Sequence, residues 1–461
     1  MGGELVRLAS TMLITNCAAL ALTPARELAF DIVEAAVKEV MPEPLLRRKL
    51  AFGPHGLVVG GQPVASDGGR LWVLGAGKAA AAMAAAVETL LGPERIHGGL
   101  VVTAPGWDGP TPQRVTVLTG DHPVPGASSA VATAALLAVA GEVTGEDVVL
   151  WLLSGGASSL LAAPAPGLSL EHKQQVTRAL LRSGATIDEM NAVRKHLSSV
   201  KGGQLARLLA PATVITLALS DVVSGRLDVI GSGPTAPDSS TFADALAVLD
   251  AHGLRSIAPR AVVEHLERGA AGGVPETPKP GDPCFAGARA CVIGSPAHAA
   301  EAALAAARSM GVPEATLVDA HLGGDVRAAA AMLGARLRSA AFSPGPFPKV
   351  LVAAGEVTVQ VHGDGRGGRC QELAATLISE IAGLPITVVC AATDGQDFIE
   401  GAGGAVVDGY AAGVAASLSI AAGDALDRHD THPLHRALGT LIEARPTGTN
   451  VCDLIVAVVE G

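Results

Sequence analysis

The 461-residue sequence predicts an α/β protein of two layered domains, each a mainly parallel sheet with helices on both faces. Three observations carry that expectation. Apolar runs of strand length alternate with helix-length segments of helical periodicity, the pattern of repeated βαβ units. The runs are apolar throughout rather than alternating, as strands buried on both faces are. Small residues supply the apolar content: hydrophobic residues reach 49% while aromatics are 2%, and there are 56 glycines. Such a composition suits close packing of helices on sheets.

The elements follow in order. Leu28, Ile32, Ala35, Ala36 and Val40 recur at helical spacing, so residues 25–50 are expected to begin as a helix. Leu71-Trp72-Val73-Leu74 reads as a strand running into Gly75-Ala76-Gly77-Lys78 and an alanine-rich helix. Strands are expected at 100–103 and 115–118, the latter ending at Thr119-Gly120-Asp121-His122-Pro123, with a helix at about 127–141. A strand at 147–153 stops at Ser154-Gly155-Gly156. Helices at 170–183 and 187–199 precede a strand at 213–219 that ends at Ser220-Asp221. Glycine, proline and polar residues crowd 268–287, the first composition break, and the rhythm resumes at 290–293. A second break at 343–348 precedes strands at 350–354 and 357–361, then at 388–392 and 454–459. The expected division is therefore an N-terminal domain over 1–270 and a C-terminal domain over 285–461.

Composition also excludes function classes. There are 33 Lys plus Arg against 44 Asp plus Glu, a net charge of −11. That balance repels phosphate backbones, and few aromatics are present to stack bases, so nucleic acid is not an expected partner. Charged residues are only 17%, which argues against disorder. The apolar runs at 79–87 and 130–140 fall short of the roughly 20 residues a membrane span needs. Near the N-terminus, Arg7 and an apolar stretch broken by Asn16 and Cys17 make a poor secretion signal, and Met12 is an alternative start to Met1. Cys17, Cys284, Cys291, Cys370, Cys390 and Cys452 form no C-x-x-C pair and read as reduced thiols of a cytoplasmic protein.

Open α/β sheets bind ligands at the carboxyl ends of their strands, and the polar residues of this chain gather there. Gly75, Gly77 and Lys78 lie where a strand opens into a helix, whose free N–H groups suit an anion. The spacing formally fits a dinucleotide fingerprint, but the next strand ends at Thr103 where an acid is expected. It does not fit a Walker A loop. A lysine at a helix start either points to solvent or serves an anionic ligand. Ser154, Gly155, Gly156 and Ser158 combine glycine backbone donors with hydroxyls, for a phosphate or a carboxylate; the plain alternative is a helix N-cap. Asn191, Arg194, Lys195, His196 and Lys201 are either polyphosphate contacts or a solvated helix face. Asp221 ends an apolar strand, a costly place unless it is paired or faces a cleft. Gly231-Ser232-Gly233-Pro234-Thr235 reads as a rigid turn.

The C-terminal part is the densest. Gly355-Glu356 closes a strand, and a loop at 363–368 leads into Arg369-Cys370-Gln371-Glu372 at a helix start. Arginine there suits bidentate carboxylate or phosphate binding. Thr393-Asp394-Gly395-Gln396-Asp397 puts carboxylates at a strand end, where Mg²⁺ is commonly held. Thr447-Gly448-Thr449-Asn450 reads as a backbone-donor loop. His429, His432 and His435 are spaced by three, but Asp430 and Pro433 make a loop into a helix the better reading than a metal site. No Ser-His-Asp order or nucleophile elbow occurs.

These blocks, taken together and in order, resemble the class II glycerate 2-kinases, whose C-terminal half is the MOFRL domain. The resemblance runs from about 25 to 459 and includes Gly120-Asp121-His122-Pro123-Val124-Pro125, Asn191-Ala192-Val193-Arg194-Lys195-His196 and Ser220-Asp221-Val222. It implies a Rossmann-like first domain, a second domain carrying MOFRL over about 348–459, and an active-site cleft between the two. It implies transfer of the ATP γ-phosphoryl to the 2-hydroxyl of D-glycerate, with Mg²⁺, giving 2-phosphoglycerate and ADP. Catalytic residues are then Lys78, Asp221, Glu356 and Arg369. Substrate or phosphate contacts are expected from Gly75, Gly77, Ser154, Gly155, Gly156, Ser158, Asn191, Arg194, Lys195, Gly233, Thr235, Thr449 and Asn450, and metal contacts from Asp394 and Asp221. Two other readings stay open: an NAD(P)H-dependent hydroxypyruvate reductase, a name some members carry, and a non-catalytic phosphosugar or nucleotide sensor. Phe398 stands where the family commonly has Gly, and Ala444-Arg445 where it usually has Thr-Gly, which bears on substrate preference. Oligomeric state, a homodimer included, is not legible.

Overall fold

The computed structural model describes residues 13–54, 56–64, 68–221 and 225–461; Met1, Met12 and Val222 lie outside them. These residues form two compact units, each around a six-stranded sheet.

The first unit comprises Leu45–Leu219 and Gly225–Ile293. Its strands are β1 (Leu71–Ala76), β2 (Gly98–Thr103), β3 (Val115–Thr119), β4 (Val148–Leu153), β5 (Thr213–Leu219) and β6 (Ala288–Gly294), in the spatial order β3-β2-β1-β4-β5-β6. The pairs from β3 to β5 are parallel, as the apolar runs predict. Every residue of β4 is buried, because helices cover both faces. The helix Ala80–Leu91 that follows β1 is built largely of alanine and buried along most of its length, so it can lie close to the sheet. The chain runs outward from β1 through β2 to β3, then returns to β4 beside β1. That reversal creates a switch point between β1 and β4, where open α/β sheets form a crevice. A small antiparallel sheet (Leu50–Gly53, Gly56–Val59, Gln62–Pro63) belongs to the same unit.

The second unit joins residues 13–44, Ser220, Asp221 and Gly294–Gly461. Its strands are β7 (Glu314–Asp325), β8 (Lys349–Thr358), β9 (Ile386–Ala392), β10 (Ala402–Asp408), β11 (Leu441–Glu443) and β12 (Asp453–Val459), ordered β7-β8-β12-β9-β10-β11. Here the expectation of a mainly parallel sheet is corrected. β7 and β8 are parallel, but β8–β12, β12–β9, β9–β10 and β10–β11 are antiparallel. A strand buried on both faces reads as one apolar run in either direction, so the sequence marks the strands without their sense. The helix Pro24–Glu39 packs on β9 and β12 of this unit and on the helix Pro296–Ser309. Thr23 caps it by accepting from the Arg26 N–H, with Pro24 at its first position. Arg26 then anchors it to β10, donating from Nε and Nη2 to Asp408 Oδ2 at 3.0 and 2.7 Å.

The compact units therefore depart from a division at 270–285. The crowded segment 268–287 is a connection inside the first unit, leading to its edge strand β6. Residues 25–50 do begin as a helix, Pro24–Glu39, followed by a short one at Pro42–Arg47, whereas the helix expected to reach 199 stops at His196. Gly355-Glu356 does not break a strand: β8 runs through it. Gly355 has φ +151°, and a side chain there would sit 2.0 Å from the Leu322 carbonyl of β7. Among the described residues no helix is long and apolar enough to cross a membrane.

Candidate functional site

In the first unit, the loops after β1 and β4 interlock at the switch point. The Lys78 N–H donates to the Gly155 carbonyl at 2.8 Å, and the Ala79 N–H to Ser154 Oγ at 3.0 Å. Gly77 has φ +137°, and a Cβ there would lie 2.1 Å from Ser154 Oγ; a Cβ on Gly75 would lie 2.5 Å from the Leu152 carbonyl. Both glycines are thus required by close approach, and the buried Ser154 hydroxyl is committed to holding the loops together. Gly156, at φ +80°, leaves room in which the His122 ring and the Lys78 stem both come to about 3.1–3.2 Å of its missing Cβ. Lys78, His122 and the Gly155-Gly156 turn therefore converge. Thr103, at the position where a dinucleotide site needs an acid, donates its hydroxyl to the Lys78 carbonyl at 3.2 Å.

The 231–235 turn packs beside the β4 loop. Ser232 Oγ lies 3.2 Å from Ser158 Oγ and donates to Asn191 Oδ1 at 2.8 Å. Lys201 Nζ donates to the Ser158 carbonyl at 2.8 Å and to its hydroxyl at 3.2 Å. Gly233, at φ +61°, sits against the Asp228 backbone, and Thr235 pairs its hydroxyl with Thr216 at 2.7 Å, so both shape the turn. Lys195 is drawn away from this group. It is buried in ion pairs with Asp238 at 3.2 Å and Asp228 at 3.6 Å. Among the described residues its neighbour Arg194 has no such pairing. Burial holds the Arg194 pKa below its ordinary value.

In the second unit, strand register assembles an acidic cluster. β12 runs antiparallel between β8 and β9, and Asp453 at its start is opposite Gly355 of β8 and Ala392 of β9. Glu356 within β8, the Thr393-Asp394 turn after β9 and Asp453 at the start of β12 are thus brought close together. Arg369, the first residue of the helix Arg369–Glu380, sits among them. Its Nη1 meets Glu356 Oε1 at 2.8 Å, while Nε and Nη2 donate to Asp453 at 3.2 and 3.3 Å. Asp453, with Glu356, raises the Arg369 pKa further above its usual range. Cys452 donates its thiol hydrogen to the Asp221 carbonyl at 2.9 Å. Burial, then Glu356, Asp221 and Asp453, push that thiol far up, which ties Asp221 to the same cluster.

The 447–450 loop is braced rather than open. Thr447 donates to the Thr393 carbonyl at 2.6 Å, and Thr449 donates to the Val40 carbonyl at 2.6 Å; Asn450 is buried in the same loop. Asp397 caps the Arg369 helix, accepting from the N–H groups of Cys370 and Gln371 at 3.0 and 2.9 Å. Burial and the nearby Asp453 raise its pKa to about 6. The three histidines brace this helix too: His429 reaches Glu372, His432 reaches Gln371 Oε1, and His435 meets the Gln371 carbonyl at 2.8 Å. Among the described residues no group of three or more His, Cys, Asp or Glu is placed to hold a metal ion. Phe398 has φ +64°, a left-handed backbone that glycine adopts freely, and its ring is 89% exposed.

Sequence reasoning passed over Asp453 and Lys173. Asp453 opens an apolar strand and was open to the argument that singled out Asp221. Lys173 lies in Leu170-Glu171-His172-Lys173-Gln174-Gln175, which reads as a solvated helix face.

Comparison with known proteins adds to this geometry. Residues 28–267 match a domain of unknown function, DUF4147, and residues 349–453 match the MOFRL family. A D-glycerate 2-kinase of Thermotoga maritima is 35% identical over 439 residues, 94% of this chain and 98% of the relative. A putative hydroxypyruvate reductase of Agrobacterium vitis is 38% identical over 400 residues, 84% of this chain and 98% of the relative. The crystal structure of a glycerate kinase from Thermotoga maritima superposes with a TM-score of 0.79 at 34% identity, covering 94% of this chain and 99% of the other.

Proposed function

The chain belongs to the glycerate kinase family, in which a DUF4147 domain precedes a MOFRL domain, and from that membership we propose that it transfers the γ-phosphoryl group of ATP to the 2-hydroxyl of D-glycerate. The products are 2-phosphoglycerate and ADP. The observation that carries this reading is the 35% identity, across 94% of the chain, to a D-glycerate 2-kinase. The charge distribution supports it. The first unit presents cations and backbone donors around Lys78, Gly155-Gly156, Asn191 and Arg194. The second presents Asp221, Glu356 and Asp453 against one guanidinium, a net negative group.

Phosphoryl transfer needs positioning and charge neutralisation more than covalent chemistry. Lys78, at the switch point, neutralises an anionic oxygen of the ligand. Arg369, fixed between Glu356 and Asp453 before any ligand arrives, is a preorganised donor toward developing charge. Asp221 takes the proton of the 2-hydroxyl; that oxygen bonds to the γ-phosphorus, and the bond to the β–γ bridging oxygen breaks to release ADP. The excess of carboxylate oxygens in the second unit fits Mg²⁺, a hard cation held by one or two acids together with nucleotide phosphates. Asp394, with Asp221 as the second candidate, would hold it. When bound, the ion offsets charge on the phosphoryl oxygens. Six free thiols fit a reducing compartment, so we assign the protein to the cytoplasm.

The test is a pair of assays. Incubation with D-glycerate, ATP and Mg²⁺ is expected to give ADP in proportion to glycerate, with phosphorus NMR showing a 2-phosphoester. Incubation with hydroxypyruvate and NADH is expected to leave NADH unchanged. NADH oxidation without ADP formation would replace the kinase by a reductase, and ligand binding with neither turnover would leave a sensor.

A further inference from the structure

Among the described residues of the first unit, two buried lysines with a half-buried arginine near them are answered by no acid. Lys173, on the helix Leu170–Ser183, is 7% exposed and its Nζ has no hydrogen-bond partner. Lys201 is 2% exposed, and among the described residues its ammonium meets only oxygens of Ser158 and Gly231. Arg194 stands within electrostatic reach of both lysines, and among the described residues no carboxylate is one of the charges acting on any of the three. Asn191, 3% exposed, spends its Oδ1 on Ser232, while its Nδ2 has no partner. Ser232 is held at φ +62°, a strained backbone for serine, which points its hydroxyl between Asn191 and Ser158. Asn191, Ser232, Ser158 and Lys201 thus form one hydrogen-bonded chain.

Burying an unpaired ammonium is costly, and leaving a buried amide N–H₂ without an acceptor adds to the cost. Both buried unsatisfied groups here are donors, the Lys173 ammonium and the Asn191 amide, and the half-buried Arg194 guanidinium near them can only donate. An occupant must therefore be rich in acceptors, and anionic. One carboxylate would leave most of the positive charge unanswered, whereas a phosphate dianion answers more of it with three or four acceptor oxygens. We propose that Lys173, Lys201, Arg194 and Asn191, with Ser158 and Ser232, form a phosphate-binding site. The site deepens the kinase reading, and rests on it only for the source of the phosphate.

Inorganic phosphate is the probe, added to the full chain without nucleotide and compared with chloride at equal ionic strength. Phosphate is expected to raise the melting temperature in a concentration-dependent way. Lys173→Met keeps the bulk and removes the charge. It is expected to melt above the wild type without phosphate and to bind phosphate about 10–100-fold more weakly. Arg194→Gln is expected to weaken phosphate binding similarly, as a second variant. Displacement of phosphate by ATP would identify the nucleotide as its source, and displacement by 2-phosphoglycerate alone would identify the product; either supports the site. Equal stabilisation by phosphate and chloride, unchanged phosphate affinity in both variants, or Lys173-dependent binding of D-glycerate but not phosphate would overturn it. Glycerate-dependent ADP formation without phosphate binding removes the site and leaves the kinase; phosphate binding without turnover does the reverse.

Discussion

Arg369 has its charge answered twice before any substrate arrives, by Glu356 and Asp453. Its contribution is therefore a fixed position, and truncation should be felt in turnover. Arg369→Ala and Lys78→Ala are each expected to lower kcat by about 10²–10³; near-normal turnover in either would remove that residue from the mechanism. Asp453→Asn keeps the shape but loosens one side of the clamp. It is expected to lower kcat while leaving the KM for ATP nearly unchanged, and a change in KM alone would deny Asp453 its positioning role. Lys173 makes a different kind of prediction, about stability and pH. Burial, with Arg194 nearby, lowers its pKa from 10.5 to about 7. Between those values the unfolded chain binds a proton that the folded one does not, so stability should rise with pH from about 7 towards 10.5. Below about pH 7 both states are charged and this dependence vanishes. Lys201 is shifted in the same direction, by burial and by Lys173 and Arg194, and adds to the slope. Urea denaturation at pH 7, 8 and 9 reads the slope, which should be shallower in Lys173→Met; a flat wild-type profile would mean that these amines are not buried.

At the scale of elements, two adjacent loops and two strand ends do most of the arranging. Gly77→Ala would force a methyl to within 2.1 Å of the Ser154 hydroxyl at a backbone angle alanine avoids. It is expected to cost about 1–3 kcal/mol in urea denaturation and to lower activity; a stable, fully active variant would mean the loops are not interlocked. The first sheet was legible because its parallel strands bury both faces and announce themselves as unbroken apolar runs. The strand senses of the second sheet were not, since burial on both faces looks alike in either direction. β7 went unseen because it lies at a sheet edge, mostly half-buried or exposed, and carries polar residues without an apolar run. Sequence pointed to the strand-end loops as the places where polar groups gather. It could not say which of those groups are spoken for: Ser154, Thr235, Lys195 and Thr449 all have their polar atoms engaged by the protein itself. That distinction is made by partners distant in the chain, such as Asp238 for Lys195 and Val40 for Thr449. The left-handed backbone at Phe398 gives a physical reason for the glycine expected there, and Phe398→Gly is predicted to stabilise the turn modestly, by about 1 kcal/mol at most.

At the scale of the molecule, the two units do not divide the chain into halves. The helix Pro24–Glu39 is part of the second unit, packed on β9 and β12 and tied by Arg26 to Asp408. A fragment of residues 285–461 lacks it and would expose the apolar residues of two central strands, so it is expected to be insoluble or molten by circular dichroism. Residues 45–293 contain nearly all of the first unit in one stretch and are expected to fold more readily. If 285–461 folded cooperatively alone, the N-terminal helix would be an accessory rather than a part of that core.

The place of β12 carries this further. It is the last strand in the chain, yet it lies in the middle of its sheet, with β8 on one side and β9 on the other. On a ribosome adding about 5–20 residues per second, the helix Pro24–Glu39 emerges roughly 20–80 s before the strand it covers has been made. During that interval the first unit can close while the second remains an open sheet with two unpaired edges. Synthesis therefore leaves the second sheet incomplete until residues 453–459 appear, and any premature stop upstream of Asp453 delivers a product with a vacancy at the centre of that sheet.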